Sequence, residues 1–303
     1  MRKLLYIAIL LLFSFTARSQ YYMDIGFSMG AANYLGEIGG KEKTRRDFVA
    51  DMKLEQTRQV LGGFVRYKFS PLFSFKGGLT YATIQGADNL STNPPRVGRN
   101  LSFKNNMVEL ATTAEINFFQ ANDVGRTGRF RLDFRAYTFI GAAALYSNPQ
   151  ALYNGQWHDL RPLMTEGQLK PYSQFHFTIP AGAGLYYTVR RKHRLGWEIG
   201  WRTTFTDYLD DASTTYASSE QLNNDPLRIG IANRRSEVAG DGLPGAENYS
   251  YGNKRGDPAH NDSYFFTTIS YSYVLRGKSN FYRSKYNFIL GNKLRKRKTR
   301  AKF

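Results

Sequence analysis

Between Phe175 and Phe205 the sequence alternates without a break around one short turn, and this stretch restricts the fold more than any other. The first arm sets Phe175, Phe177, Ile179, Ala181, Ala183, Leu185 and Tyr187 on one parity. His176, Thr178, Pro180, Gly182, Gly184, Tyr186 and Thr188 occupy the other. A period of two is the signature of a strand. After the basic turn Arg190-Arg191-Lys192-His193-Arg194, the second arm sets Leu195, Trp197, Ile199, Trp201 and Phe205 against Gly196, Glu198, Gly200 and Arg202. One face is large and apolar; the other is small and carries charges in mid-strand.

Alternation alone fits a soluble barrel with the apolar set inside or a membrane barrel with that set outside. Side-chain volume separates the two. A barrel of about eight strands has an interior only just wide enough for side chains, and glycines with a few charges fit it better than rows of Trp, Phe and Tyr. Glycine also weakens a strand unless something crowds it. The aromatic face is therefore read as facing lipid.

Eight such segments are expected: Tyr21 to Gly30, Val60 to Phe69, Leu72 to Ile84, Leu101 to Phe119, Phe130 to Leu145, the two arms of the hairpin, and Ser263 to Leu275. The connections alternate between short and long, as in outer-membrane barrels with short periplasmic turns and long outer loops. The expected fold is an all-β, eight-stranded antiparallel transmembrane outer-membrane β-barrel with long extracellular loops, spanning residues 20–275. An even strand count places both termini in the periplasm. The longest connection, Thr206 to Asp262, exceeds what a compact domain carries without structure, so an ordered cap is expected there.

Inward parity carries charges of both signs: Arg66, Lys68, Glu109, Glu115, Arg131, Asp133, Arg135, Glu198 and Arg202. Charges in a narrow interior are tolerated when paired, so a salt-bridged plug is expected rather than an open pore. Residues 1–19 read as a cleavable signal peptide, with Arg2-Lys3 before an apolar run from Leu4 to Phe15 and Ala17-Arg18-Ser19 before the cut. Cysteine is absent, so neither disulfides nor a lipid-acceptor thiol enter the account. The net charge of +18 is concentrated in a basic tail, 276–303, which includes Lys293, Arg295, Lys296, Arg297 and Lys298 and holds no acidic residue. With the turn residues Arg190, Arg191, Lys192 and Arg194, that tail forms a candidate periplasmic contact surface. In that compartment its partners are anionic lipid or an acidic protein face rather than nucleic acid.

Several stretches resemble the PorG family, small outer-membrane barrels of the type IX secretion and gliding-motility machinery. They are Asn33-Tyr34-Leu35-Gly36-Glu37-Ile38-Gly39, Arg99-Asn100-Leu101-Ser102-Phe103-Lys104-Asn105 with Glu109, and Ser147-Asn148-Pro149 through Tyr153-Asn154-Gly155-Gln156-Trp157. Leu163-Met164-Thr165-Glu166-Gly167-Gln168, Ile179-Pro180-Ala181-Gly182-Ala183-Gly184 and Thr206-Asp207-Tyr208-Leu209-Asp210-Asp211 complete the series. The resemblance implies a non-enzymatic anchor in the outer membrane that contacts the periplasmic ring lipoprotein and its partner subunit.

Two other functions have candidate residues. A rim-located lipid-modifying enzyme would draw on His158-Asp159, His176 and Ser173. A loop-mediated adhesin would use the outer loops, with Asp207, Asp210 and Asp211 as calcium candidates against the simpler reading of solvated loop carboxylates. No cofactor or small-molecule substrate is indicated.

Overall fold

The computed structural model describes residues 23–39, 54–122, 124, 132–238 and 242–275. Nine strands are present: β1 (Met23–Leu35), β2 (Arg58–Lys68), β3 (Phe73–Ala87), β4 (Ser102–Ala121), β5 (Leu132–Tyr153), β6 (Gln156–Asp159), β7 (Phe175–Val189), β8 (His193–Thr204) and β9 (Ser263–Leu275). They run β4-β3-β2-β1-β9-β8-β7-β5, and a β4–β5 pairing closes the ring into an eight-stranded antiparallel barrel. β6 folds back on the end of β5 outside that ring. Two short helices, α1 (Pro94–Arg99) and α2 (Pro226–Ala232), lie in the long loops.

The parity expected from the sequence is the parity observed. Ile25, Phe27, Leu61, Phe75, Leu79, Leu110, Ile140, Leu195, Trp197 and Ile269 are exposed around the belt. Arg66, Glu109, Glu115, Glu198 and Arg202 are buried inside. So wide a ring of exposed apolar side chains is the surface of a barrel solvated by hydrocarbon. A bulge in β4 between Asn117 and Phe119 lets both Phe118 and Phe119 face outward.

The small inner face is set by crowding. A Cβ added to Gly182 would lie 2.1 Å from the Ile199 carbonyl oxygen and 2.8 Å from the Phe139 ring, and one on Gly200 would meet the same ring at 2.8 Å. Glycine is what lets β7 and β8 close around Phe139.

Among the described residues the tight β2–β3 and β7–β8 turns lie at one end and the longer loops at the other, where β3, β4 and β5 extend furthest. β5 was expected to stop at Leu145 but continues to Tyr153, because Ser147 to Gln150 pair with Lys104 to Met107 of β4. The segment read as loop there is a hairpin that rises past the barrel. An apolar core sits at this end, where Tyr34, Ile84, Phe103, Met107, Leu145, Leu209, Ile231 and Tyr264 pack between the barrel mouth and the loops. Residues 1–19, expected to form a signal peptide, Arg131 and the tail 276–303 lie outside the described residues.

Candidate functional site

The lumen is filled by a charge network. Arg66 of β2 holds Glu115 of β4 at 2.8 Å and Asp24 of β1 at 3.3 Å, and its third nitrogen donates to the Tyr137 hydroxyl at 3.3 Å. Tyr137 donates in turn to Glu198 at 2.8 Å, which Lys76 meets at 2.6 Å. Nearer the long loops, Glu109 accepts from Tyr264 at 2.5 Å and faces Arg202 at 3.6 Å. The Tyr186 ring lies between two guanidiniums, Arg194 at 4.9 Å and Arg66 at 5.1 Å. The void left among Phe64, Lys76, Glu109, Glu198 and Arg202 measures about 40 Å³, room for about one water.

Of the expected set, Arg66, Glu109, Glu115, Glu198 and Arg202 lie in this network, joined by Lys76, Asp24 and Arg194. Asp24 was not in the expected set, yet it accepts from Arg66, Arg194 and Ser272. Its parity was the signal, since it shares the small face with Gly26, Ser28 and Gly30. Arg194, expected on the periplasmic contact surface, points into the lumen instead. It shares parity with Glu198 and Arg202, and both its Nε bond to Thr188 and its ion pair with Asp24 draw it inward. Arg190, Arg191 and Lys192 stay exposed. Asp133 and Arg135 lie half-buried at the short-turn end, where Arg135 donates to the Pro71 carbonyl at 3.2 Å, and Lys68 is buried there with no ion pair among the described residues.

Above the lumen the four long loops are stitched together by three buried carboxylates. Asp88 accepts from the Gly39 and Leu101 amides and from two nitrogens of Arg99. Glu166 accepts from the Ser213 and Thr214 amides, the Thr214 hydroxyl and Arg255. Asp211 accepts from Thr165, Tyr172 and Arg255. Arg99 closes the circuit by donating to the Arg255 carbonyl at 2.6 Å. The expected cap is therefore ordered, with residues from all four loops in one network.

The reading of Asp207, Asp210 and Asp211 as solvated is overturned: they are 7%, 1% and 0% exposed. Burial pushes the Asp210 and Asp211 carboxyls up to about 6 and Asp207 to about 9, with the charge of Asp210 adding to the last. Glu37 is pushed up to about 8, by burial first and the Asp210 charge second. As calcium candidates the three diverge, Asp211 turning to Arg255 while Asp210 turns to Tyr34. No group of metal-ligating side chains converges among the described residues.

Of the enzyme candidates, His176 meets the Ser173 backbone, but the Ser173 hydroxyl is engaged elsewhere. The Ser173 hydroxyl donates to the Phe175 carbonyl at 2.8 Å, and Asp159 accepts from Asn148 and Gln150. His158 sits on β6 opposite Ala151, while His176 lies on β7 opposite Leu145.

A family described as Domain of unknown function (DUF6089) matches residues 2–254, and the chain belongs to that family. No curated protein matches it. Among solved structures it is similar to two of Ail, the attachment invasion locus protein of Yersinia pestis. The one in complex with the heparin analogue sucrose octasulfate has 9% identity and a TM-score of 0.35 over 84% of this chain and 99% of that one. The other has 7% identity and a TM-score of 0.36 over the same shares. No functional reading is drawn from likeness at this level.

Proposed function

We propose that this member of the DUF6089 family is a non-enzymatic outer-membrane anchor within the type IX protein secretion and gliding-motility machinery. In this reading an N-terminal signal peptide exports it and both termini lie in the periplasm. The short-turn face, with the basic tail, contacts the periplasmic ring lipoprotein and its partner subunit, and the belt contacts outer-membrane lipid. A plugged lumen under a stitched cap favours a role carried by surfaces over one carried by a channel.

The observation that carries the reading is the β7–β8 turn. Its central residues Arg190 and Arg191 both take positive φ, 50° and 59°. Two successive positive-φ positions at the centre of a turn favour Asn-Gly, because left-handed backbone costs an ordinary L-residue about 1–2 kcal/mol. Two exposed arginines held there, followed by exposed Lys192, spend stability for charge at the tip, as expected of a contact site.

The test is a mild-detergent pull-down of the tagged protein from native outer membranes, read by mass spectrometry. Recovery of the ring lipoprotein with the parent protein, and its loss from a variant lacking residues after Leu275 together with Arg190→Asn and Arg191→Gly, supports anchoring. A parent barrel that comes alone refutes it. A second reading, loop-mediated adhesion, is favoured by a cavity of about 590 Å³ at the loop surface, lined in part by Arg96, Tyr249, Lys254, Asp257 and His260. Unchanged surface attachment after Arg96→Ala with Lys254→Ala would remove it.

A further inference from the structure

Tyr34, at the long-loop end of β1, lies within hydrogen-bond distance of two carboxyl groups at once. Its hydroxyl oxygen is 2.6 Å from Asp210 Oδ2 and 2.5 Å from Asp262 Oδ1. A phenol has one proton to donate. Two short contacts among three oxygens need two protons, so one of the carboxyls must itself be protonated and donate back to the tyrosine. The remaining oxygens are already committed, Asp210 Oδ1 to the Ala212 amide at 2.9 Å and Asp262 Oδ2 to the Leu209 amide at 3.0 Å.

Among the described residues no cation forms an ion pair with Asp210 or Asp262, although Arg99 and Arg255 act on Asp210 from further off. Arg99 packs in from the second loop but is held by Asp88, and Arg255 from the fourth loop is held by Glu166 and Asp211. The other groups facing it are acidic. Glu37 comes from the first loop, and Asp207 from the fourth has both carboxyl oxygens out of water with Ser213 as its polar neighbour. Lys254 and Asp257, which also act on Glu37, pair with each other at 3.2 Å. Asp210 and Asp262 sit near the two ends of the fourth loop, so Tyr34 ties both ends of the cap to the first strand.

We propose that the cap is latched to β1 by a proton shared among Tyr34, Asp210 and Asp262, and that raising the pH removes it and releases the fourth loop. Two ionised carboxylates facing one phenol, with Asp207 and Glu37 beside them, repel in a site that excludes water. The folded-state values of these carboxyls lie above their unfolded values, so they stabilise the closed cap in acid. That contribution fades as pH rises through the folded values, about 6 for Asp210, about 8 for Glu37 and about 9 for Asp207, with Asp262 also raised by burial first and Asp210 second. The cap is closed in mild acid and loosens in alkali, while the lumen network stays intact.

The experiment is limited proteolysis of the full-length folded protein in detergent from about pH 5 to about pH 9, with a protease active across that range. Cleavage within 206–262 is expected to accelerate roughly tenfold or more toward alkaline pH and to reverse on re-acidification, while the barrel keeps its folded gel mobility. Asp262→Asn and Asp210→Asn each place a permanent amide donor against Tyr34, so at least one of them should keep the loop protected at the alkaline end. Protection independent of pH in the parent overturns the proposal, as does alkaline release undiminished in both amide variants. Protection that follows added calcium and is abolished by chelator at acid pH also overturns it, since the latch would then be a metal rather than a proton.

Discussion

Asp24→Asn should be the most damaging conservative change in the lumen. The carboxylate is fully buried and serves two guanidiniums, Arg66 on one oxygen and Arg194 on the other. The two cations are unequally insured. Arg66 keeps Glu115 at 2.8 Å, whereas Arg194 keeps no second anion among the described residues, only the Thr188 hydroxyl at 3.3 Å and the Tyr186 ring at 4.9 Å. Breaking a buried ion pair from one side costs about 3–5 kcal/mol, because the survivor stays out of water without compensation. That corresponds to roughly a hundredfold to several thousandfold in the folded-to-unfolded ratio. Urea unfolding in detergent micelles, followed by tryptophan fluorescence, measures it. Adding Arg194→Met removes the stranded charge and should recover about 2 kcal/mol or more. Adding Arg66→Met instead strands Glu115 and should recover nothing. A cost for Asp24→Asn below about 1 kcal/mol, or equal rescue by both second changes, would refute the assignment of Asp24 as the shared anion.

Three further outcomes are expected. Arg190→Asn with Arg191→Gly should stabilise the barrel by about 1–2 kcal/mol in the same unfolding assay, since the turn backbone no longer forces arginine into positive φ; a destabilised variant would show that the arginines serve the fold itself. Glu166→Ala removes the acceptor of two amides, a hydroxyl and Arg255, and should expose 206–262 to protease at neutral pH without lowering barrel stability in urea by more than about 1 kcal/mol; an unaltered digestion pattern would sink the stitching role. In planar bilayers the folded protein should give no steady conductance, because ion pairs cross the lumen at several levels and the void among Phe64, Lys76, Glu109, Glu198 and Arg202 is about 40 Å³, and sustained channel currents would contradict the plug.

Much of the barrel was legible because one rule, alternation, governs every strand. The hairpin from Phe175 to Phe205 fixed the parity, and the inward charges Arg66, Glu109, Glu115, Glu198 and Arg202 followed from it. Arg194 was misplaced because five consecutive residues, four of them Lys or Arg, look like a solvated turn; its parity with Glu198 would have set it apart. Asp24 was visible on the small face, but its partners depend on how β1 meets both β2 and the far end of the chain, which local pattern does not encode. The cap acids were read as solvated because loops carry no period. Their burial rests on contacts such as Thr165 with Asp211, 46 residues apart.

Asp24 also lies where the first and last strands meet. It bonds to Ser272 across the β1–β9 junction, 248 positions later in the chain, and to Arg194, 170 positions later. During assembly the first strand therefore carries a carboxylate that meets Arg66 on the next strand but finds two of its three partners only on the last two. A sheet that stalls before β8 and β9 join leaves that carboxylate on an open edge with Arg66 alone, whereas the finished ring adds Arg194 and Ser272. The interior electrostatics thus act as a check on completeness, favouring the barrel in which all eight staves have been set and penalising any that closes early.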